Sequence, residues 1–324
     1  MILIQTKGKP TPAPLPPPYA LLLCFGTKSN PSATLPKNIS EILTQSPTNG
    51  LASNVSSSVL PLYAGGLSFI FAGIRSRKFP EEMWEGDFSV KAGSDDDKRV
   101  VAFLKQMKDK HGSNSVCYIS FGSLFFPIFR PELIRYILKT LQGTGVPFVF
   151  AYAYGIVPVP NEVIEEFAGL EDACFVKFAP QWAVLKHQAT GFFLTHCGSN
   201  STHETIMAKV PIVSMPFAAN QGEIASLLTD VLHVGIDLKQ TKTFIKPPFN
   251  KLYDGTVVEG TKSAIKDEMR TVWQRMKGKE GEEMCKGPKY QMRVRMGEVK
   301  ERLRESFNNG RGKQDMIKLG ECRL

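Results

Sequence analysis

Between residues 116 and 238 the chain alternates short apolar runs with segments of helical periodicity, and this alternation constrains its fold more than any other feature. The apolar runs, at 116–121, 148–152, 173–178, 192–197, 211–215 and 233–238, are five or six residues long. That is the length of a buried strand. Between them lie helical patterns at 131–142, 161–167, 182–187, 200–208 and 221–232. In the first of these, Leu133, Ile134, Ile137, Leu138 and Leu141 share one face, and Pro131 stands where its missing N–H costs nothing. Strand–helix–strand units with short connections form a parallel sheet covered on both faces. The expected class is therefore α/β, a doubly wound parallel sheet of Rossmann-like type.

The flanks read differently. Residues 1–58 are rich in Pro, Ser, Thr and Asn and predict loop or disorder. Residues 59–95 are mixed, with a possible strand at 67–74. Ser94 precedes Asp95, Asp96 and Asp97 in a capping-box pattern, and Val100, Val101, Phe103, Leu104 and Met107 follow at helical spacing. Residues 262–308 predict basic helices. The formal charge of +9 lies entirely from Lys239 onward, where 21 basic residues face 12 acidic ones. Arg293, Arg295, Lys300, Arg302 and Arg304 are interspersed with Glu298, Glu301 and Glu305, which predicts a solvated helical face in preference to a nucleic-acid or lipid surface.

Several classes are excluded. The six cysteines, Cys24, Cys117, Cys174, Cys197, Cys285 and Cys322, show no Cys-x-x-Cys and no zinc-ligand spacing. Cys117, Cys174 and Cys197 fall in strand-like runs, which predicts buried thiols in a reducing, cytoplasmic setting. The longest apolar stretch, 59–74, is broken by Pro61, Gly65, Gly66 and Gly73 and is too short to span a membrane. The apolar run at 19–25 follows six prolines and makes a poor signal peptide. The sequons at Asn38, Asn54 and Asn200 are read as chance matches.

Ligands of such sheets bind outside the carboxyl ends of the strands. Those ends carry Ser120-Phe121-Gly122-Ser123, Phe178-Ala179-Pro180-Gln181, Thr195-His196-Cys197-Gly198-Ser199-Asn200-Ser201 and Pro216-Phe217-Ala218-Ala219-Asn220-Gln221. Every end offers hydroxyls, amides, an imidazole or an aromatic ring. Gly198-Ser199-Asn200-Ser201 opens a helix, whose free N–H groups and positive dipole end suit a phosphate. Glu204 lies one turn further on, on the face of Asn200, where a carboxylate can accept hydrogen bonds from a ribose diol. Phe178 is either a core aromatic or a stacking face for a base, and Gly122 and Gly198 are either phosphate-approach or plain turn glycines. His196 by itself reads as a buried histidine; within this set it reads as an anion ligand. His187 reads as structural and His203 as a solvated neighbour of Glu204. The whole describes a site for a nucleoside diphosphate without a metal.

The 44 residues FAPQWAVLKHQATGFFLTHCGSNSTHETIMAKVPIVSMPFAANQ, from Phe178 to Gln221, resemble the donor-binding signature of family 1 UDP-glycosyltransferases of plants and fungi. The resemblance extends over about 96–324. It implies the C-terminal half of a fold of two facing Rossmann-like domains, with residues 1–58 outside it, 59–95 a remnant of the N-terminal domain, 96–260 the donor domain and 261–324 closing helices. It implies that Phe178 stacks on uracil and that Gln181 and Glu204 hold the uridine. His196, Gly198, Asn200, Ser201 and Ser123 would hold the diphosphate, and Asn220 and Gln221 the sugar hydroxyls. Phe178 stands where the family has tryptophan, Ser199 where it has a second tryptophan, and Asn220 where it has an acid. The implied reaction is inverting, metal-independent transfer of a hexosyl group from a UDP-sugar to a small lipophilic acceptor. UDP-sugar would be a substrate, with no cofactor. Asp95-Asp96-Asp97 matches the acidic triplet of other, metal-dependent glycosyltransferases, but it precedes a helix and is read as a cap.

The resemblance also implies a general-base histidine in the N-terminal domain. The histidines here are His111, His187, His196, His203 and His233, and none precedes residue 111. The sequence therefore predicts a truncated gene model, a partner chain that supplies the acceptor domain, or an inactive, non-catalytic UDP-sugar-binding relative.

Overall fold

The structure, a computed structural model, describes residues 94–122, 130–152, 159–217, 220–242, 247–277 and 287–309. The possible strand at 67–74, Ser123, the sequons at Asn38 and Asn54, and Cys24, Cys285 and Cys322 lie outside these residues.

The first helix, α1 (Asp95–His111), begins as its sequence demands. Ser94 Oγ accepts from the Asp97 N–H at 3.1 Å and Asp97 Oδ2 accepts from the Ser94 N–H at 3.1 Å, so two otherwise unpaired donors are satisfied reciprocally. Asp95 and Asp96 pair with Lys98 and Arg99 one turn on. The acidic triplet thus caps a helix. Val100, Phe103, Leu104 and Met107 are buried, and Val101 faces solvent.

Alternation follows: β1 (Val116–Ser120), α2 (Glu132–Thr144), β2 (Phe148–Ala151), α3 (Asn161–Phe167), β3 (Ala173–Val176), α4 (Gln181–Lys186), β4 (Thr190–Thr195), α5 (Ser199–Ala208), β5 (Ile212–Ser214), α6 (Gln221–Ser226) and β6 (Gly235–Asp237). A π-turn, Leu227–Val231, extends α6. All six strands are parallel, in the order β3-β2-β1-β4-β5-β6. The chain winds outward from β1 to β3, returns beside β1 as β4, and winds the other way. The switch point therefore lies between β1 and β4, where the crevice at the carboxyl ends opens.

All six strands end one or two residues earlier than their apolar runs suggest, and at two of them the backbone shows why. Phe121 and Cys197 are buried, but each stands where the backbone leaves the ladder: Gly122 has φ 76° and Cys197 φ 61°. A left-handed residue cannot continue a strand. Cys117, Cys174 and Cys197 are buried thiols.

Alternate residues of each strand point to opposite faces. Cys117, Ile119, Phe148, Phe150, Phe192 and Leu194 form a core with α2, α3 and a later helix, α7 (Lys262–Lys277). Val116, Tyr118, Val149 and Phe193 pack on the other side with α1 and α4. A third cluster joins α5 and α6 to the last helix, α8 (Pro288–Asn308). None of the described helices is long and apolar enough to cross a membrane.

The two basic helices are built into this core. Trp273 of α7 stacks on Phe192, ring centroids 5.9 Å apart, and its Nε1 donates to Thr140 Oγ1 at 2.8 Å. The expectation of a wholly solvated face on α8 is corrected. Arg295, Arg302, Glu298, Glu301 and Glu305 are exposed, but Lys300 is buried and Arg293 is directed inward. The Arg293 guanidinium donates to the Thr190 carbonyl at 2.9 Å and the Gly191 carbonyl at 3.2 Å, and Lys289 Nζ donates to the Asn114 carbonyl at 2.6 Å. These carbonyls stand at the amino ends of β1 and β4. Burial depresses both cations, Arg293 to about 10 and Lys289 to about 8.

Candidate functional site

At the switch point the loops after β1 and β4 meet around one side chain. The buried imidazole of His196 fills the space that a Cβ on either neighbouring glycine would need. A Cβ on Gly122 would lie 2.8 Å from His196 Cε1, and one on Gly198 would lie 2.4 Å from Nε2. The glycines therefore seat the histidine; Gly122 also needs its positive φ, whereas Gly198, at φ −66°, needs only the room. Burial lowers the His196 pKa to about 4 against an opposing hydrogen bond to the Ser120 backbone, so the ring is neutral at pH 7. The next residue, Cys197, is held in the left-handed region, which costs a non-glycine residue roughly 1–3 kcal/mol and is concentrated at functional sites.

Helix α5 starts at Ser199 with Gly198 as its N-cap and no side-chain cap. Its first N–H groups consequently point at the crevice without a capping oxygen. Inside its first turns a polar network is closed. Gln181 Nε2, from the start of α4, donates to Glu204 Oε2 at 2.8 Å and to Ser201 Oγ at 3.3 Å. Tyr118 of β1 donates its hydroxyl to Gln181 Oε1 at 3.4 Å. Ser201 is buried, Glu204 half-buried and Asn200 exposed.

The β5 end joins from the other side. Phe217 packs edge-on against Phe121, centroids 5.3 Å apart, and its N–H donates to Gln221 Oε1 at 2.8 Å. Gln221 is only 2% exposed, so its amide oxygen braces the turn. Asn220 occupies the N-cap position of α6, and its side chain makes no capping hydrogen bond. Beyond β3, Phe178 is 70% exposed, which removes its reading as a core residue.

The structure thus brings Gln181, Ser201 and Glu204 into one network, seats His196 against Gly198 and Gly122, and ties Gln221 to the β1 end through Phe217 and Phe121. Ser123 lies outside the described residues. His187 accepts from the Ala189 N–H at 3.1 Å and closes α4, as a structural residue would. His203 corrects the expectation of a solvated neighbour: it is 2% exposed, and burial lowers its pKa to about 4. One residue, Tyr118, and one role, that of Gly122, were missed from the sequence. Gly122 as the seat of His196 has no sequence signal apart from glycine at a strand end, and Tyr118 reads as one more core aromatic.

No group of three or more His, Cys, Asp or Glu poised for a metal occurs among the described residues. A separate cleft of about 440 Å³ opens at the β6 edge, lined in part by His233, Asp237, Glu268 and Arg275, and shares no residue with the strand-end set. The convergent polar groups of the strand ends are at the switch point and not in this cleft.

A family model for UDP-glucoronosyl and UDP-glucosyl transferase matches residues 58–241, more than half of the chain. The chain belongs to this family. UDP-glycosyltransferase 84B1 of Arabidopsis thaliana is 34% identical over 131 residues, which are 40% of this chain and 28% of that protein. Flavonol 3-O-glucosyltransferase of the same plant is 34% identical over 152 residues, 47% of this chain and 32% of that protein. This family member spans about a third of the length of the curated relatives it matches. Its fold is similar to that of Os79 from O. sativa, solved in complex with UDP, at a TM-score of 0.51 and 20% identity, over 79% of this chain and 51% of that one.

Proposed function

We propose that this chain is the donor-binding half of a UDP-glycosyltransferase that moves a hexosyl group from a UDP-sugar to a small lipophilic acceptor, with inversion and without a metal. The observation that carries the reading is the meeting of His196, the uncapped N-terminus of α5 and the Gln181–Ser201–Glu204 network at the switch point. The sequence relatives agree with it, since flavonol 3-O-glucosyltransferase of Arabidopsis thaliana is 34% identical over 152 residues.

In this reading residues 96–260 bind the donor and 261–324 close that domain. Uracil stacks on exposed Phe178, and Glu204, oriented by Gln181, accepts from the ribose hydroxyls. The diphosphate sits on the N–H groups of α5 with Gly198, Asn200, Ser201 and Ser123. As the anomeric bond breaks, charge grows on the diphosphate, and donors already aimed at it stabilise the leaving group without reorganising. A diphosphate beside the ring favours the protonated form of His196, which supplies a second donor. Asn220 and Gln221 meet the sugar; Gln221 presents its NH2 end, because its oxygen holds the Phe217 N–H.

The acceptor hydroxyl needs a base within hydrogen-bond reach. Among the described histidines only His196 lies at the strand ends; His111 is bound to Asp172 at 3.0 Å, beside the amino end of β3. This favours a second reading, a UDP-sugar-binding module that works with an acceptor domain from elsewhere. The three buried thiols suit a reducing, cytoplasmic setting.

Calorimetry with UDP and UDP-glucose tests both readings: micromolar binding is expected, and the absence of heat with either nucleotide removes both. Assaying UDP release with a panel of phenols and sterols, using the chain alone, then separates enzyme from module.

A further inference from the structure

We propose that Tyr118 is a positioning residue for the ribose end of the donor site, anchoring Gln181 from beneath so that Glu204 keeps the orientation a diol requires. The inference rests on the reading that Glu204 receives the ribose hydroxyls.

Tyr118 lies in the middle of β1 and is 1% exposed. Its ring is stacked on Phe193, centroids 4.7 Å apart and planes 24° from parallel, so the hydroxyl is delivered from a rigid base. Phenylalanine would fill the same space, and a hydroxyl buried in a sheet is unfavourable unless it finds a partner. The partner is the amide of Gln181, whose oxygen accepts from the phenol at 3.4 Å.

The chain of bonds has one permitted direction. An ionised carboxylate only accepts, so Glu204 forces the NH2 end of Gln181 toward itself and Ser201. The amide oxygen must then face β1, where Tyr118 supplies the donor. Removing the phenol leaves Gln181 held at one end only, free to pivot about its long side chain, and the plane of the Glu204 carboxylate is no longer set. The site loses preorganisation chiefly at the ribose, with Ser201 Oγ losing only its longer, 3.3 Å bond from Gln181. Gly122, Gly198 and the α5 N–H groups do not depend on this network.

The test compares UDP with 2′,3′-dideoxy-UDP by calorimetry on the full chain, in the native form, Tyr118→Phe, Glu204→Ala and the double variant. Tyr118→Phe is expected to weaken UDP by about 3- to 10-fold, the worth of one hydrogen bond. Binding of the dideoxy nucleotide should stay within about twofold, which general loosening of the fold would not permit, and the double variant should bind no more weakly than Glu204→Ala alone. Gln181→Leu, which cuts the chain at its middle, should abolish the effect of adding Tyr118→Phe. Equal weakening of both nucleotides, additive losses in the double variant, or an unchanged UDP affinity would overturn the role of Tyr118. If the native chain fails to distinguish UDP from its dideoxy form, the donor-site reading of Glu204 fails first, independently of Tyr118.

Discussion

The two ends of the sheet are finished in opposite ways. At the amino end, the carbonyls of Asn114, Thr190 and Gly191 are taken up by Lys289 and Arg293 of α8. At the carboxyl end, the N–H groups of α5 are left without a side-chain cap, Cys197 is held at a positive φ, and Phe178 stands out in solvent. The first end satisfies its own polar groups and belongs to stability. The second leaves helix N–H groups without a side-chain cap and an aromatic face in solvent, at a cost to stability, and in the proposed reading it serves binding. The contrast shows why a basic tail need not mean an anionic partner: two of its cations serve backbone oxygens.

The strongest way to break the contrast is at the closed end. A Cβ on Gly191 would lie 2.2 Å from the Asn114 carbonyl oxygen, a backbone atom that cannot step aside. Gly191→Ala should cost about 3 kcal/mol or more in urea unfolding. If the variant is as stable as the parent, the amino end is not packed as described.

Acid should act next. The folded-state pKa values of His196 and His203 are depressed to about 4, so between pH 6.5 and 4 the unfolded chain takes up protons that the folded chain refuses. Stability should fall over that window by up to about 3 kcal/mol for each ring. Glu268 works in the opposite sense. It accepts from the Lys239 N–H at 2.9 Å and the Gln240 N–H at 2.8 Å, and burial raises it to about 7. The folded chain therefore holds a proton between pH 4.5 and 7 that the unfolded chain releases, and this offsets part of the histidine loss. Unfolding measured from pH 7.5 to 5 should show a net decline, and His203→Gln should flatten it. A flat native profile would contradict the burial of the two rings.

Arg293→Met should cost about 1–3 kcal/mol, because the Thr190 and Gly191 carbonyls lose a shared donor while the apolar stem is kept. UDP affinity should not change. A loss of UDP binding without a loss of stability would reverse the assignment of the two ends. Phe178→Ala should do the converse: melting temperature unchanged, since the ring is exposed, and UDP weakened by about 1–3 kcal/mol, the worth of a base stacked on an aromatic. The smallest effect is expected from Phe178→Trp, which adds stacking area and should tighten UDP by a few-fold, under about 1 kcal/mol.

Much of the sheet was legible because each element announces itself locally. The residues of α3, Asn161–Phe167, and the Ser94–Asp97 cap stand where periodicity and capping chemistry put them. Strand ends were read too long, since Phe121 and Cys197 are apolar and only the backbone turn takes them out of the ladder. His203 was read as solvated but is buried. It follows buried Thr202 and precedes half-buried Glu204 on a helix covered by α4 on one side and α8 on another, and that second cover comes from about a hundred residues away. The same distance hid the role of Arg293 and the burial of Lys300. The strand-end residues were legible as a set because doubly wound sheets have a polar rim on one side only.

By itself the sequence determined the class of sheet, the strands and helices that build it and the residues at their carboxyl ends, because hydrophobic period and capping act over a few neighbours. Tertiary structure alone decided the strand order and hence the switch point between β1 and β4, and the wedging of His196 between two glycines. It alone also decided the bond chain from Tyr118 to Glu204 and the use of tail cations on the far carbonyls. Each of these joins segments tens of residues apart, and such contacts leave no periodic trace along the chain.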